Sequence, residues 1–115
     1  MVVDDSAAVR SRLIAWLAEA GFDIAGEAGT ASAALTVATA TAPDAIILDL
    51  HLPDQSGLEI LPELKARVPL AIIAVLTNQP DPGYRRRCLE LGADHFFDKS
   101  AEVEHLMALF TTLRK

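Results

Sequence analysis

The chain has 115 residues, enough for one domain with a core of its own and little more. Hydrophobic residues make up 51 % but aromatics only 5 %, so the core must be built from Ala, Leu, Val and Ile, which suits helix-on-sheet packing better than an aromatic ligand pocket. A net charge of −6 disfavours direct nucleic-acid binding. A lone cysteine, Cys88, excludes an intrachain disulfide, and neither a transmembrane-length apolar run nor a signal-peptide pattern is present, which together point to a cytoplasmic protein.

Two kinds of segment alternate along the chain. Short apolar runs fall at Val2–Val3, Phe22–Ala25, Ala45–Leu50, Leu70–Leu76 and Ala93–Phe97, and stretches with helical character lie between them. The spacing predicts a first helix over Ala7–Ala20, capped by Ser6 or Asp5 and stopped at Gly21. Val9, Leu13, Trp16, Leu17 and Ala20 form its inward stripe. A second helix follows Thr30 and ends before Pro43, with a weak stripe at Leu35 and Ala38. The third covers Leu58–Arg67, with Leu61 and Leu64 inward. The fourth starts at Asp81-Pro82 and stops at Gly92. The fifth covers Ala101–Leu113, with Val103, Leu106, Met107 and Phe110 as its apolar face. The runs Ala45–Leu48 and Ala71–Leu76 are continuous rather than alternating, as in strands buried on both faces. Strands alternating with helices give a parallel sheet with helices on both sides. All 115 residues are expected to form one domain. Its first strand is short, because only three residues precede Asp4, and reads as truncated.

In an open parallel sheet, ligands bind beyond the carboxyl ends of the strands. Polar residues follow four of the five apolar runs: Asp4 and Asp5, then Asp49, then Thr77, then Asp98 and Lys99. With the first and third strands adjacent, three carboxylates converge and repel one another. A hard divalent cation relieves that repulsion, and Mg²⁺ commonly shares its shell with a phosphate. A lysine and a threonine on the far side suit a phosphoryl group. The constellation reads as a phosphoryl-transfer site with a carboxylate acceptor.

The motifs Val3-Asp4-Asp5-Ser6, Ile47-Leu48-Asp49-Leu50-His51-Leu52-Pro53 with Gly57, Leu76-Thr77, and Gly92-Ala93-Asp94 leading to Phe96 and Lys99 resemble the response-regulator receiver domain of bacterial two-component signalling. The resemblance covers essentially the whole chain. It implies a flavodoxin-like, doubly wound sheet of five parallel strands in the order 2-1-3-4-5, with five helices. It implies that Asp49 is phosphorylated by a histidine kinase or phosphotransfer protein. Asp5, Asp49 and the His51 backbone carbonyl would bind Mg²⁺ (or Mn²⁺), with Asp4 acting mostly through a metal-bound water. Lys99 would pair with Asp49 at rest and with the phosphoryl group afterwards. Thr77 and Phe96 would move as the switch proceeds. Output would pass through Tyr84–Leu91, Asp94–Phe97 and the exposed side of the last helix, to a downstream protein, an effector domain or a second copy in a homodimer. Neither a membrane nor nucleic acid is an expected direct partner. On this reading the chain is a phospho-acceptor rather than an enzyme, beyond catalysing its own phosphorylation and dephosphorylation.

Three departures from the family pattern stand out. Ser100 follows Lys99 where the family usually has Pro, so a trans bond is expected. Asn78 follows Thr77 where Ala or Ser is usual. His51 and Gln79 flank the path of hydrolytic water and, with Asn78, are candidates for tuning phosphoryl lifetime. Other readings compete. Asp4 and Asp5 could simply cap the first helix. Arg85-Arg86-Arg87 is more often a solvated face than a partner contact. Cys88 reads as an inert buried thiol, and His51, His95 and His105 show no metal-ligand spacing. An aspartyl phosphatase would carry Asp-x-Asp and a cap insertion, and this chain has neither. A degenerate, phosphorylation-independent interaction module would have lost one of the acidic, Thr or Lys positions, and all five are present.

Overall fold

The computed structural model describes residues 1–78 and 81–113. Ten elements alternate: β1 (Val2–Val3), α1 (Ala7–Glu19), β2 (Glu27–Ala28), α2 (Ala31–Thr41), β3 (Ala45–Leu48), α3 (Gly57–Arg67), β4 (Ile72–Thr77), α4 (Pro82–Glu90), β5 (His95–Asp98) and α5 (Val103–Leu113). The strands form one parallel sheet in the order β2-β1-β3-β4-β5. This is the doubly wound order expected from the sequence, with its switch point at β1 and β3.

Both faces of the sheet are covered, which explains the continuous apolar runs. Successive residues of a strand point to opposite faces. Val3, Ile46, Leu48, Ile73, Val75 and Phe96 pack under α2, α3 and α4. Val2, Ile47, Ala74 and Leu76 pack under α1 and α5, where Phe97 joins them. The adjacent phenylalanines thus part as expected, with Phe96 buried in the first core and Phe97 half-buried against the second.

Helix ends follow the capping residues. Ser6 accepts from the Val9 N–H and caps α1, while Gly21 at φ 91° lets the chain turn away from it. Thr30 accepts from Ala33 at the start of α2. The buried face of α2 is Ala31, Ala34 and Ala38, with Leu35 at its flank. Thr36, Thr39 and Thr41 return their hydroxyls to carbonyls four residues back, so a helix rich in β-branched residues keeps its polar groups paired. Asp81 caps α4 ahead of Pro82. The fifth helix begins at Val103, two residues later than its pattern suggested, because Ala101 and Glu102 are held in a turn by Asp98. Cys88 is fully buried, and burial pushes its thiol up to about 11, as expected of an inert thiol.

The second strand is a correction. Phe22–Ala25 is not a strand; the pairing segment is Glu27–Ala28, in register with Val2 and Val3. Phe22 and Ile24 are apolar because they pack against the α1–α5 core, where the Phe22 ring meets Phe110 edge-on at 5.8 Å. The chain reaches the sheet only at Gly26, whose carbonyl accepts from the Val2 N–H.

Gly57 opens α3 directly behind the third strand. A Cβ there would stand 2.6 Å from the Asp49 carbonyl oxygen and 2.9 Å from the Leu50 Cα, so the backbone itself must give way. Gly57→Ala is therefore expected to destabilise the protein by about 1–3 kcal/mol in urea titrations. An unchanged midpoint would show that the loop behind Asp49 has slack.

Candidate functional site

The parallel ladder itself delivers the polar residues to one edge. Asp4, Asp49 and Lys99 lie just past the ends of their strands, each with its backbone N–H held by the neighbouring strand. The Asp4 N–H donates to the Ala28 carbonyl at 3.1 Å, that of Asp49 to Val3 at 2.9 Å, and that of Lys99 to Thr77 at 2.7 Å. Thr77 closes β4 and is fully buried; Leu48, just before Asp49, pairs with Val75 two residues before it.

Asp4 and Asp49 are buried, whereas Asp5 is exposed. One oxygen from each of the three lies within 4.8 Å of the other two, and this is the group among the described residues that could hold a metal ion. Asp4 Oδ1 accepts from the Ser6 N–H at 2.9 Å, and Asp49 Oδ1 from the His51 N–H at 3.2 Å. Lys99 Nζ donates to Asp4 Oδ2 at 2.7 Å and to Asp49 Oδ2 at 3.2 Å. The expected pairing of Lys99 with Asp49 is thus present, but the shorter contact is to Asp4. The Lys99–Ser100 bond is trans, as expected.

Two buried carboxylates share one ammonium, with the Asp5 carboxylate close beside them. Burial pushes the Asp49 carboxyl above its ordinary range, and the charge of Asp4 adds to that; His51 and Lys99 only partly oppose it. For Lys99, burial is the largest single influence and lowers its value. The hydrogen bonds and charges of Asp4 and Asp49 together outweigh burial and hold the ammonium above its usual range. Oxygen donors with surplus negative charge on a half-open sheet edge fit a hard divalent cation.

The surroundings sort the other candidates. His51 and Asn78 are exposed beside the cluster, and Gln79 lies outside the described residues. Phe96 is held by Arg85, whose guanidinium lies 5.5 Å from the ring centroid and donates to the Phe96 carbonyl at 3.2 Å. Arg86 and Arg87 are exposed. A cavity of about 350 Å³ between α1 and α5 is lined by Trp16, Leu76, Met107 and Lys99, and by none of the three carboxylates. A larger one, about 570 Å³, lies at the opposite end of the sheet near Met1 and Ala45. Two contacts had no motif to announce them. Arg10 donates to the Asp4 carbonyl, and Asp54 accepts from the first amides of α2. Arg10 was readable only as a charged position on the first helix, and Asp54 only as a polar loop residue.

The family model of the response regulator receiver domain matches residues 1–111, and the chain belongs to that family. It is a receiver domain of two-component signalling. A putative transcriptional regulator of Pseudomonas aeruginosa is 36% identical over 107 residues, covering 93% of this chain and 52% of that protein. A protein-glutamate methylesterase/protein-glutamine glutaminase of Caulobacter vibrioides is 41% identical over 101 residues, covering 86% of this chain and 29% of that protein. The crystal structure of a response regulator protein from Burkholderia pseudomallei, with a phosphorylated aspartic acid, calcium ion and citrate, matches with a TM-score of 0.86 at 32% identity, covering 93% of this chain and 62% of that one. The chain therefore spans about half the length of the first relative and under a third of the second. Among the described residues, no helix is long and apolar enough to cross a membrane.

The raised Asp49 carboxyl has a consequence for stability. Ionising it costs the folded state stability as pH climbs past the ordinary carboxylate value and through the raised one. Asp49→Asn removes that cost, and Lys99 keeps its shorter bond to Asp4. Without divalent cations, Asp49→Asn is expected to be more stable than wild type near neutral pH. The advantage should shrink as the solution is acidified. Urea titrations at both pH values check this; a variant less stable at neutral pH would contradict it.

Proposed function

We propose that this chain is a phosphorylation-driven switch that accepts a phosphoryl group on Asp49 with the help of a bound divalent cation. The observation that carries this reading is the buried Asp49 carboxylate at the end of β3, grouped with Asp4 and Asp5 and bonded to Lys99. Asp49 attacks the phosphorus of a phosphohistidine on a partner kinase or phosphotransfer protein. A P–O bond to Asp49 forms as the P–N bond breaks, and the leaving imidazole takes up a proton. Asp5, Asp49 and the His51 carbonyl are the proposed ligands of Mg²⁺ or Mn²⁺, with Asp4 acting through a bound water. A cation there would offset the carboxylates and the charge on the transferring phosphoryl oxygens.

Lys99 leaves Asp49 for a phosphoryl oxygen while retaining Asp4 as its second partner. Thr77 turns towards another phosphoryl oxygen and draws its loop inward. Phe96 follows, and with it the surface of α4, β5 and α5 on which Tyr84 and Leu89 are exposed. Phosphorylation biases an equilibrium between two arrangements of that surface. His51, Asn78 and Gln79 are proposed to tune how long the phosphoryl group survives. The relatives' greater length supports a module whose output lies in other segments or other proteins, here through an effector domain, a downstream protein or a homodimer. A cytoplasmic location fits a phosphohistidine donor.

Incubation with Mg²⁺ and acetyl phosphate, followed by intact-mass measurement, tests the reading. Wild type should gain the mass of one phosphoryl group. Asp49→Asn, or wild type with EDTA, should gain none. Lys99→Ala should be modified more slowly, by on the order of 100-fold, as when a donor to a transition-state oxygen is lost. An unmodified wild type would favour a phosphorylation-independent interaction module. Equal modification of Asp49→Asn would move the acceptor elsewhere.

A further inference from the structure

The two loops that carry the acidic cluster are tied, from outside it, to one short stretch of chain. One loop follows β1 and carries Asp4 and Asp5. The other follows β3 and carries Asp49 and His51. The shared stretch is the β2–α2 junction, residues 27–32, none of which belongs to the cluster.

Arg10 reaches this junction from α1. Its Nη1 donates to the Asp4 carbonyl oxygen at 2.7 Å and its Nε to the Glu27 carboxylate at 2.8 Å, with only 19% of the side chain exposed. Gly29 makes room for it: a Cβ there would stand 3.0 Å from Arg10 Nη1 and 3.8 Å from the Asp4 oxygen. Asp54 closes on the same junction from the other loop. Its Oδ1 accepts from the Ala31 N–H at 2.8 Å and its Oδ2 from the Ser32 N–H at 3.0 Å. These are the first amides of α2, which have no partner inside the helix, and the helix dipole favours a carboxylate beside them. Thr30 takes the next amide, that of Ala33.

We propose that Arg10 and Asp54 are positioning residues for the cation and phosphoryl site, bracing both acidic loops against the β2–α2 junction and fixing the loops' separation before a cation arrives. This rests on the cation-dependent reading above. Without a cation the three carboxylates repel one another, and that repulsion drives the loops apart. Whatever already holds them together reduces the ordering that binding must complete, and the saving appears as affinity. Arg10 grips a backbone carbonyl, so it fixes the Asp4 loop without occupying a carboxylate oxygen. Asp54 lies three residues beyond His51 with Pro53 between them, so little slack separates the clamp from the His51 carbonyl.

Calorimetric titration of the metal-free protein with Mg²⁺ tests the proposal. Arg10→Ala and Asp54→Ala should each weaken Mg²⁺ binding about tenfold. Arg10→Lys and Asp54→Asn, which keep one hydrogen bond each, should recover part of the loss and carry the same test if an alanine variant fails to fold. Lys65→Ala is the control. It removes bonds to the Ala71 carbonyl and to Asp94, away from the cluster, and should leave Mg²⁺ affinity unchanged while lowering stability. With acetyl phosphate, saturating Mg²⁺ should restore the maximal modification rate of Arg10→Ala and Asp54→Ala. Unchanged Mg²⁺ affinity in both, against a wild type that binds, would overturn the proposal. So would an equal loss in Lys65→Ala. A wild type that binds no Mg²⁺ would overturn the cation-dependent reading itself, and this inference with it.

Discussion

One ammonium, that of Lys99, stands between two buried carboxylates, and the arrangement of the sheet's carboxyl edge depends on it. Its bonds to Asp4 and Asp49 join residues 95 and 50 positions apart. Its backbone N–H is fixed to Thr77 as well, so the ion pair and the β4–β5 ladder locate each other. Burying charges costs free energy that pairing recovers only in part, and here two buried carboxylates share one ammonium with Asp5 close beside them. The raised Asp49 carboxyl is the local sign of that deficit. A fold assembled for stability alone would do better with apolar residues at these positions. In the proposed function, the retained imbalance is what makes the edge receptive to a divalent cation and then to a phosphoryl group.

The fold bears the cost of this edge elsewhere. Two apolar layers close over opposite faces of the sheet, with side chains such as Ile46, Leu48, Ile73 and Leu106 fully buried. Alanine-lined α2 packs close to the first layer, and Gly26 and Gly57 admit neighbours that a side chain would displace. Backbone hydrogen bonds to the neighbouring strands hold Asp4 and Asp49 at the strand ends. The loops that continue from them need a separate brace, which Arg10 and Asp54 are proposed to supply.

Much of this was legible in the residues. Alternating apolar runs and amphipathic stretches defined five strand–helix pairs, and Asp4, Asp5, Asp49, Thr77 and Lys99 each stood at a strand end where a parallel sheet places its ligands. The second strand was misplaced because apolarity records burial, not pairing. Phe22 and Ile24 are half-buried against Phe110 and its neighbours without joining the ladder, while Glu27 joins it with its side chain exposed. The late start of α5 reflects the turn anchored on Asp98, which carries no helical period to betray it. Arg10 and Asp54 were invisible for a different reason. Apart from the Glu27 carboxylate, their partners are backbone groups 6, 22 and 23 residues away, and a backbone carbonyl or amide leaves no mark in a sequence.

The proposed function requires the acidic edge to be an unbalanced charge cluster that a divalent cation completes. Thermal unfolding of wild type against Mg²⁺ concentration, at constant ionic strength, measures this most directly. A ligand that binds only the folded state stabilises it by an amount that grows with the logarithm of its concentration above Kd. The unfolding temperature is expected to rise with Mg²⁺ in this way, and the rise to be abolished or sharply reduced in Asp5→Asn. A rise matched by NaCl at equal ionic strength, or left intact in Asp5→Asn, would contradict it.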